Sequence, residues 1–419
     1  MRFDIQLPDN KSLRIRELIE SWVRDGEVLP ISTNDCRDIV ITQRALETIS
    51  TSVVETPCIA SLQSGETSVH PVMVDVEDCG AAYRFLMPVL AATPGAWLLT
   101  GTERLLQRPI LPLVDVLRGI GAEIERVEEG WLIHGKSFRP VGTQEFASLH
   151  CAETEGLSLT IDASQSSQMA SALVLAAPLL GLKTLHLTPP DIPSLSYLQM
   201  TLGCTRAWPV EIPGVECPVA SAGAPGDWSA ALFWFAYARL HPEHTVVLSP
   251  LSLESIQGDS VIAQWFKMLG VSVSCGESAH HVSAVPCVEI SAKPLDDMPR
   301  MILDVRDNLD TVPVMAALAA LLPADITFQN VRNLQYKESD RLHVLAEQLM
   351  PYAEIELSEN ELHVKGKGVS KGVKPVFDTR HDHRLAMAFL LFPGAELNDI
   401  GCLEKSYPGL FPIKQNPKV

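Results

Sequence analysis

SQSSQMASALVLAAPLLG, residues 164–181, opens on hydroxyls and amides and then turns apolar. A surface helix carries a polar stripe at helical spacing. MASALVLAAPLL carries none, so it predicts a helix buried on every side. VMAALAALL (314–322) reads the same way. Several such helices require covering layers, and the material for these is the set of short strand-like stretches between them: AWLLTG, EGWLIHG, KTLHLT, HTVVLS, VSVSCG, ADITFQNV and IELSENELHVKG. Helices inside with sheets wrapped around them invert the usual doubly wound order.

Helix-like and strand-like stretches alternate along the whole chain, which predicts an α/β class or a regularly repeated α+β unit. The 419 residues exceed what one core usually supports, so two domains are expected. A Pro-, Gly- and Ala-rich stretch, GVECPVASAGAPGDW (214–228), separates two comparable sets of elements and marks the junction near 220–226. Ser166, Ser167, Asp227, Asp259, Asp310 and Ser339 stand where helices would start.

The formal net charge is −18, which excludes nucleic acid held by a generally basic surface. An anion must instead meet a few cations concentrated in one place. No apolar run is long enough to span a membrane, and the first twenty residues contain no secretory core. Nine cysteines are scattered singly, which argues against disulfides and zinc and for a reducing cytoplasm. The twelve histidines include HDH (381–383) and HH (280–281) but no His-Glu-x-x-His or comparable spacing, so no metal is expected.

Cations recur beside small polar residues. KSLRIR (11–16) sets Lys11, Ser12 and Arg16 at the mouth of a helix, where free N–H groups already favour anions. SQSSQ offers Ser166, Ser167 and Gln168 for multidentate bonding to a phosphate or polyol. DCGAAYR (78–84) places Arg84 one turn beyond Gly80, and Arg108 precedes Pro109 at a helix start. KESDR (337–341), DHR (382–384) and EKSYP (404–408) add Lys337, Arg341, Arg384 and Lys405. Taken singly, each is more often a solvated charge than a ligand contact. Their weight lies in occurring together.

In this order, LP-x-x-KS, SxSSQ, N-x-x-x-KESDR, DHRLAMAF and EKSYP resemble the 5-enolpyruvylshikimate-3-phosphate synthases of the enolpyruvyl transferase family, from Leu7 to about Pro408. The resemblance implies a two-domain inside-out α/β barrel, each domain built of three βαβαββ-type units with buried helices. It implies domains of residues 1–10 plus 225–419 and of residues 11–224, with the active site in the cleft between them. It implies a monomer that takes shikimate 3-phosphate and phosphoenolpyruvate and needs no metal or organic cofactor. The enolpyruvyl group would pass to the 5-hydroxyl by addition and elimination, releasing phosphate.

By the same resemblance, Lys11, Ser12, Arg16, Ser166, Ser167, Gln168, Ser194, Asp310, Asn333 and Lys337 would hold shikimate 3-phosphate. Lys11, Gly80, Arg108, Gln168, Arg341, Arg384 and Lys405 would surround phosphoenolpyruvate, with Arg84 closing the glycine motif. Asp310 would orient or deprotonate the hydroxyl, Glu338 would protonate the methylene carbon, and Lys11 would assist. Such chemistry needs one group to deliver and recover a proton at carbon and another to manage the hydroxyl proton.

The sequence also departs from the family pattern. Asp78 and Ala81 replace the usual Asn and Thr of the glycine motif, Gln335 stands for a common Arg, and Arg14 and Ile15 stand for Ser and Asn. The aspartate motif reads DNLD, which leaves Asp307 and Asp304 as alternatives to Asp310. The alternative function is a weakened relative that binds shikimate 3-phosphate or a similar anion without turnover. The related UDP-N-acetylglucosamine branch usually carries a reactive cysteine ahead of Arg-Pro, and GTERLLQRP (101–109) has none.

Overall fold

The structure is a computed structural model that describes residues 1–32, 35–55, 70–138, 156–208, 210–218, 226–278, 285–294, 298–368 and 374–410. The chain forms two compact units. The first comprises Met1–Lys11, Asn34–Arg37 and Ala220–Val419; the second comprises Ser12–Thr33 and Asp38–Val219.

The first unit contains two complete four-stranded βαβαββ modules. In one, strand Arg2–Gln6 pairs parallel with Thr245–Ser249, which pairs antiparallel with Val285–Ala292, and Val271–Ser278 closes the order. In the other, Arg300–Asp304 pairs parallel with Asp325–Gln329, followed antiparallel by Glu361–Gly366 and Ala353–Leu357. A shortened module pairs Val376–Phe377 with Glu396–Leu397. The second unit repeats the complete pattern with Val72–Asp75, Gly95–Thr100, Gly130–Gly135 and Glu123–Val127, and adds the parallel pair Leu157–Asp162 and Leu182–Thr188. The sheets are open, so the architecture is an α/β fold of open sheets packed on helices.

The core is helical, as the apolar runs predict. Every residue of helix Val312–Leu321 is buried, as is Trp228–Arg239 of helix Trp228–Leu240. In the second unit Gly80–Ala91 is buried almost throughout and Met169–Leu175 completely. The strands alternate instead. Arg300–Asp304 and Arg2–Gln6 both read exposed, buried, exposed, buried, exposed. One sheet face thus meets the helices and the other meets water. Each fully buried Leu, Val, Met or Phe contributes about 1.5–3 kcal/mol relative to exposure, so the internal helices carry much of the stability.

A glycine makes the close packing possible in two modules. A Cβ on Gly366 would lie 1.9 Å from the Leu322 carbonyl oxygen and 2.0 Å from that of Ala319. A Cβ on Gly135 would lie 2.0 Å from the Thr93 oxygen and 2.3 Å from that of Leu90. Each glycine ends the inner antiparallel strand of its module and receives the C-terminal end of that module's helix. The modules therefore repeat in structure where the sequence shows no literal repeat.

Among the described residues, no helix is long and apolar enough to cross a membrane.

Candidate active site

The first unit gathers most of the charge. A 3-10 turn, Arg332–Tyr336, presents Asn333 and leads into KESDR. Lys337 is extended, and Asp340 caps helix Arg341–Leu349 by accepting from the His343 amide. The cap is therefore Asp340 rather than Ser339. Ser339 is turned inward, and its hydroxyl donates to Asp382 Oδ2 at 2.9 Å. Asp382 in turn caps helix His383–Phe389 by accepting from the Arg384 amide.

Arg341 is the hub. Its Nε donates to Asp382 Oδ2 at 2.8 Å, Nη1 to Asp310 Oδ1 at 2.8 Å, and Nη2 to Glu338 Oε2 at 2.7 Å and Asp382 Oδ1 at 3.1 Å. Its side chain is 1% exposed and that of Asp382 is 0% exposed. Lys337 Nζ donates to Asp310 Oδ1 at 2.9 Å, and Arg384 Nη2 lies 3.8 Å from Asp310 Oδ2. Asp310, Glu338 and Asp382 thus face Lys337, Arg341 and Arg384 in a charge-balanced set, which is how such groups tolerate burial.

These contacts set the protonation states. Burial alone would raise the Asp310 pKa, but Lys337, Arg341 and Arg384 outweigh it and hold the carboxyl well below the usual range. Burial would lower the Arg341 pKa, and Asp382, Glu338 and Asp310 reverse the direction. Asp310 is therefore an ionised acceptor that a lysine and two guanidinium groups orient. Glu338 sits beside it, joined through the same arginine.

His383 is buried between these charges, and neither ring nitrogen has a hydrogen-bond partner. Burial, with the positive charges of Lys11 and Arg384, holds its pKa well below the usual imidazole value. The folded-state pKa is depressed, so the histidine's contribution to stability is complete above the unfolded value of about 6.5 and is lost as pH falls toward the folded one. Urea unfolding is expected to show a loss of up to about 1.4 kcal/mol per pH unit below 6.5 from this group. His383→Gln should remove that part of the slope; an unchanged slope would assign it to another group.

Lys11 begins helix Lys11–Asp25, and Lys405 is buried at the end of the 3-10 turn Gly401–Lys405. A buried polar network that the motifs do not show starts at Asn10. Asn10 Nδ2 donates to Gln257 Oε1 at 2.8 Å, and Gln257 Nε2 donates to Asp227 Oδ1 at 2.8 Å and Ser229 Oγ at 3.1 Å. Ser229 Oγ donates to Asp259, and the Ser229 carbonyl accepts from Arg384 Nη1 at 3.3 Å. Burial, with the negative charge of Asp310 adding to it, pushes the Asp259 pKa up to about 6. The network links the residue before Lys11 to the backbone that receives Arg384.

The second unit holds the remaining predicted residues in two groups. In one, Arg84 Nη1 donates to Gln168 Oε1 at 2.7 Å and to the Gly80 carbonyl at 3.4 Å, and Nε donates to the Pro109 carbonyl at 3.1 Å. Gly80 gives room to Arg108, because a Cβ there would lie 2.2 Å from Arg108 Nη1. Three motifs far apart in sequence thus meet: the glycine motif ending in Arg84, Arg-Pro and Gln168. Ser166 Oγ accepts from the Gln168 amide at 3.3 Å, and Ser167 caps helix Gln168–Leu175 by position, without a side-chain bond.

In the other group, Arg16 is 2% exposed. Its Nε donates to Thr201 Oγ1 at 2.7 Å, Nη1 to the Ser12 carbonyl at 2.6 Å and Nη2 to the Tyr197 carbonyl at 3.1 Å, and it lies over the Phe85 ring. Burial lowers its pKa to about 10. All three nitrogens serve the protein, so Arg16 pins the start of its helix to helix Leu195–Cys204. Ser194 precedes that second helix with φ 56° and ψ 43°, a left-handed conformation unusual for a residue with a side chain.

Of the alternative aspartates, Asp304 ends strand Arg300–Asp304, where Oδ1 accepts from the Arg306 amide at 3.0 Å and Asn330 Nδ2 at 2.8 Å. The Lys337–Arg341–Arg384 set surrounds Asp310. Sequence reasoning missed Asp382, Gln257 and Asp259 as supporting groups. Asp382 carried a signal, since a carboxylate one residue before a fully apolar helix is a cap. The other two did not, because contacts across about 30 residues decide their positions.

Two structural likenesses bear on the fold. The fold resembles an EPSP synthase from Acinetobacter baumannii, with a TM-score of 0.63 at 19% identity over 97% of this chain and 94% of that one. It also resembles the enolpyruvyl transferase NikO from Streptomyces tendae, with a TM-score of 0.56 at 16% identity over 98% and 93%. At such identities they speak for the fold. The sequence is more specific. The family model for EPSP synthase (3-phosphoshikimate 1-carboxyvinyltransferase) matches residues 2–413. A 3-phosphoshikimate 1-carboxyvinyltransferase from Bacteroides fragilis is 31% identical over 97% of this chain and 92% of its own length, and one from Methanoculleus marisnigri is 28% identical over 96% and 94%. The chain belongs to the EPSP synthase family.

Proposed function

We propose that this enzyme transfers the enolpyruvyl group of phosphoenolpyruvate to the 5-hydroxyl of shikimate 3-phosphate, on the way to chorismate and the aromatic amino acids. The observation that supports this most is the Asp310–Lys337–Glu338–Arg341 cluster within a chain of this family. Asp310, held ionised, orients or deprotonates the hydroxyl as the oxygen attacks C2 of phosphoenolpyruvate. Glu338 delivers a proton to C3, giving a tetrahedral ketal phosphate, and recovers it as phosphate leaves. Lys11, Arg108, Arg384 and Lys405 balance the anionic groups of phosphoenolpyruvate with Gly80 and Gln168. Ser12, Ser166, Ser167, Ser194, Asn333 and Lys337 hold shikimate 3-phosphate. Arg341 acts by setting Asp310 and Glu338 as much as by meeting substrate, and Arg16 by fixing Ser12. The reaction as read needs no cofactor, and the free cysteines of the described residues support a reducing cytoplasm. We read the enzyme as a monomer.

Purified protein with both substrates should release phosphate. Absence of release with retained shikimate 3-phosphate binding would replace the enzyme by the binder. The cluster disfavours that second reading, because Asp310, Lys337, Glu338 and Arg341 are all present and in contact. Asp310→Ala should lower kcat by about 10²–10⁴ and Asp307→Ala should not; the reverse ranking would move the base to Asp307.

Gly80→Ala tests the seat of Arg108. The atoms in collision are the far end of a flexible side chain, so the fold should survive while the guanidinium moves. Loss of a charged contact of about 1.5–3 kcal/mol predicts a KM for phosphoenolpyruvate raised by about 10–100-fold, with kcat less affected. An unchanged KM would remove Arg108 from that subsite.

A further inference from the structure

The turn His241–Pro242–Glu243–His244 joins the buried helix Trp228–Leu240 to strand Thr245–Ser249, away from the groups used above in sequence and in hydrogen bonding. The His244 amide donates to the His241 carbonyl at 2.9 Å, closing a four-residue turn with proline at its second position. Proline in that place fixes the backbone, so the two imidazoles are held on one turn before any ligand arrives. Their rings stack at 5.5 Å with 18° between planes. His241 Nδ1 lies 3.4 Å and His244 Nε2 3.7 Å from the same oxygen, Glu243 Oε1. The three donor atoms lie within 4.8 Å of one another.

A transition ion with nitrogen and oxygen ligands at about 2.0–2.1 Å in a tetrahedron separates them by about 3.3–3.4 Å. Two of the three separations, 3.4 and 3.7 Å, are already near that value, and the third is within 4.8 Å. The outer contacts fit as well. His244 Nδ1 lies 2.9 Å from the Tyr237 hydroxyl. If Nδ1–H donates to that oxygen, the Nε2 lone pair faces Glu243, the arrangement that metal-bound histidines use. Tyr237 also packs on the His241 ring at 4.4 Å, and Phe3 meets His244 edge-on at 5.0 Å. The side chains of His241, Glu243 and His244 are 37%, 62% and 16% exposed, so an ion can reach them.

We propose that His241, Glu243 and His244 form a binding site for a divalent late first-row transition ion such as Zn²⁺, with water completing the coordination. Two imidazoles and one carboxylate select this class over Mg²⁺ or Ca²⁺, which take oxygen ligands. The site lacks His-Glu-x-x-His spacing, because a turn rather than a helix face brings the ligands together. An ion there would fix the turn between the buried helix and strand Thr245–Ser249, and the backbone of that turn also meets the start of the chain. The Met1 ammonium donates to the Glu243 carbonyl at 2.8 Å, and the Thr245 amide to that of Met1 at 2.8 Å.

The test titrates the full chain, stripped of metal, with Zn²⁺ by calorimetry and with Co²⁺ by visible absorption. One equivalent should bind, with Co²⁺ bands of nitrogen–oxygen coordination and no sulfur-to-cobalt charge transfer. His241→Ala/His244→Ala should abolish it, Glu243→Gln should weaken it about tenfold or more, and Tyr237→Phe should weaken it by about 10–100-fold. Zn²⁺ should raise the Tm of the wild type and leave the double variant unmoved. No binding, undiminished binding in the double variant, or a thiolate band would overturn the site. Glu243→Gln changes an exposed side chain, so it remains decisive should the double variant fail to fold.

Discussion

Glu338→Gln is expected to lower kcat by about 10²–10⁴ while the chain still folds. The amide keeps an oxygen for Arg341 Nη2, which now donates to Glu338 Oε2 at 2.7 Å, so the cluster around Arg341 survives. What disappears is the acid that delivers a proton to carbon and takes it back. Two measurements separate the roles. Phosphate release reports turnover, and deuterium entering C3 of phosphoenolpyruvate in D₂O reports proton delivery. Both should fall together in Glu338→Gln, with KM for shikimate 3-phosphate little changed. Deuterium uptake at the wild-type rate would take the proton role from Glu338. In Asp310→Ala turnover should fall while the Arg341–Glu338 contact remains.

The second large effect is on stability. Asp382→Ala should cost about 3–5 kcal/mol, because it leaves a buried guanidinium short of its main partner. The carboxylate accepts from Arg341 Nε and Nη2, Ser339 Oγ and the Arg384 amide, and its side chain is 0% exposed. Asp340 provides the internal comparison. It also caps a helix, but its side chain is 42% exposed, and Asp340→Ala should cost only about 0.5–2 kcal/mol. Urea unfolding of the two variants side by side decides the matter. Equal losses would mean that Asp382 acts as a cap alone, with Arg341 satisfied elsewhere.

The helices inside were legible because apolar residues on every side of a helix admit one environment. MASALVLAAPLL and VMAALAALL state it without any partner. The strands were legible for the complementary reason, since alternation records one wet face and one dry face. In the site, the types of residue could be read from motifs, but the partners could not. Lys337, Glu338 and Arg341 are neighbours in sequence, yet the carboxylates that decide their charge state come from Asp310 and Asp382, 27 and 41 positions away from Lys337 and Arg341 respectively. Arg16 illustrates the same limit. Its place beside Lys11 and Ser12 suggests an anion ligand, and only the fold supplies the three protein acceptors around it.

Placing the helices inside has a consequence for self-association. Among the described residues, each complete sheet ends in outer strands that pair with a strand of that sheet on one side only, and such an edge is a template for pairing with another chain. Two of those strands carry carboxylates on their exposed positions: Glu123 and Glu125 in Glu123–Val127, and Glu354 and Glu356 in Ala353–Leu357. A second copy docking edge to edge would bring like charges together. Part of the −18 charge, which at first only excluded nucleic acid, thus works as a guard on the margins of an open-sheeted fold.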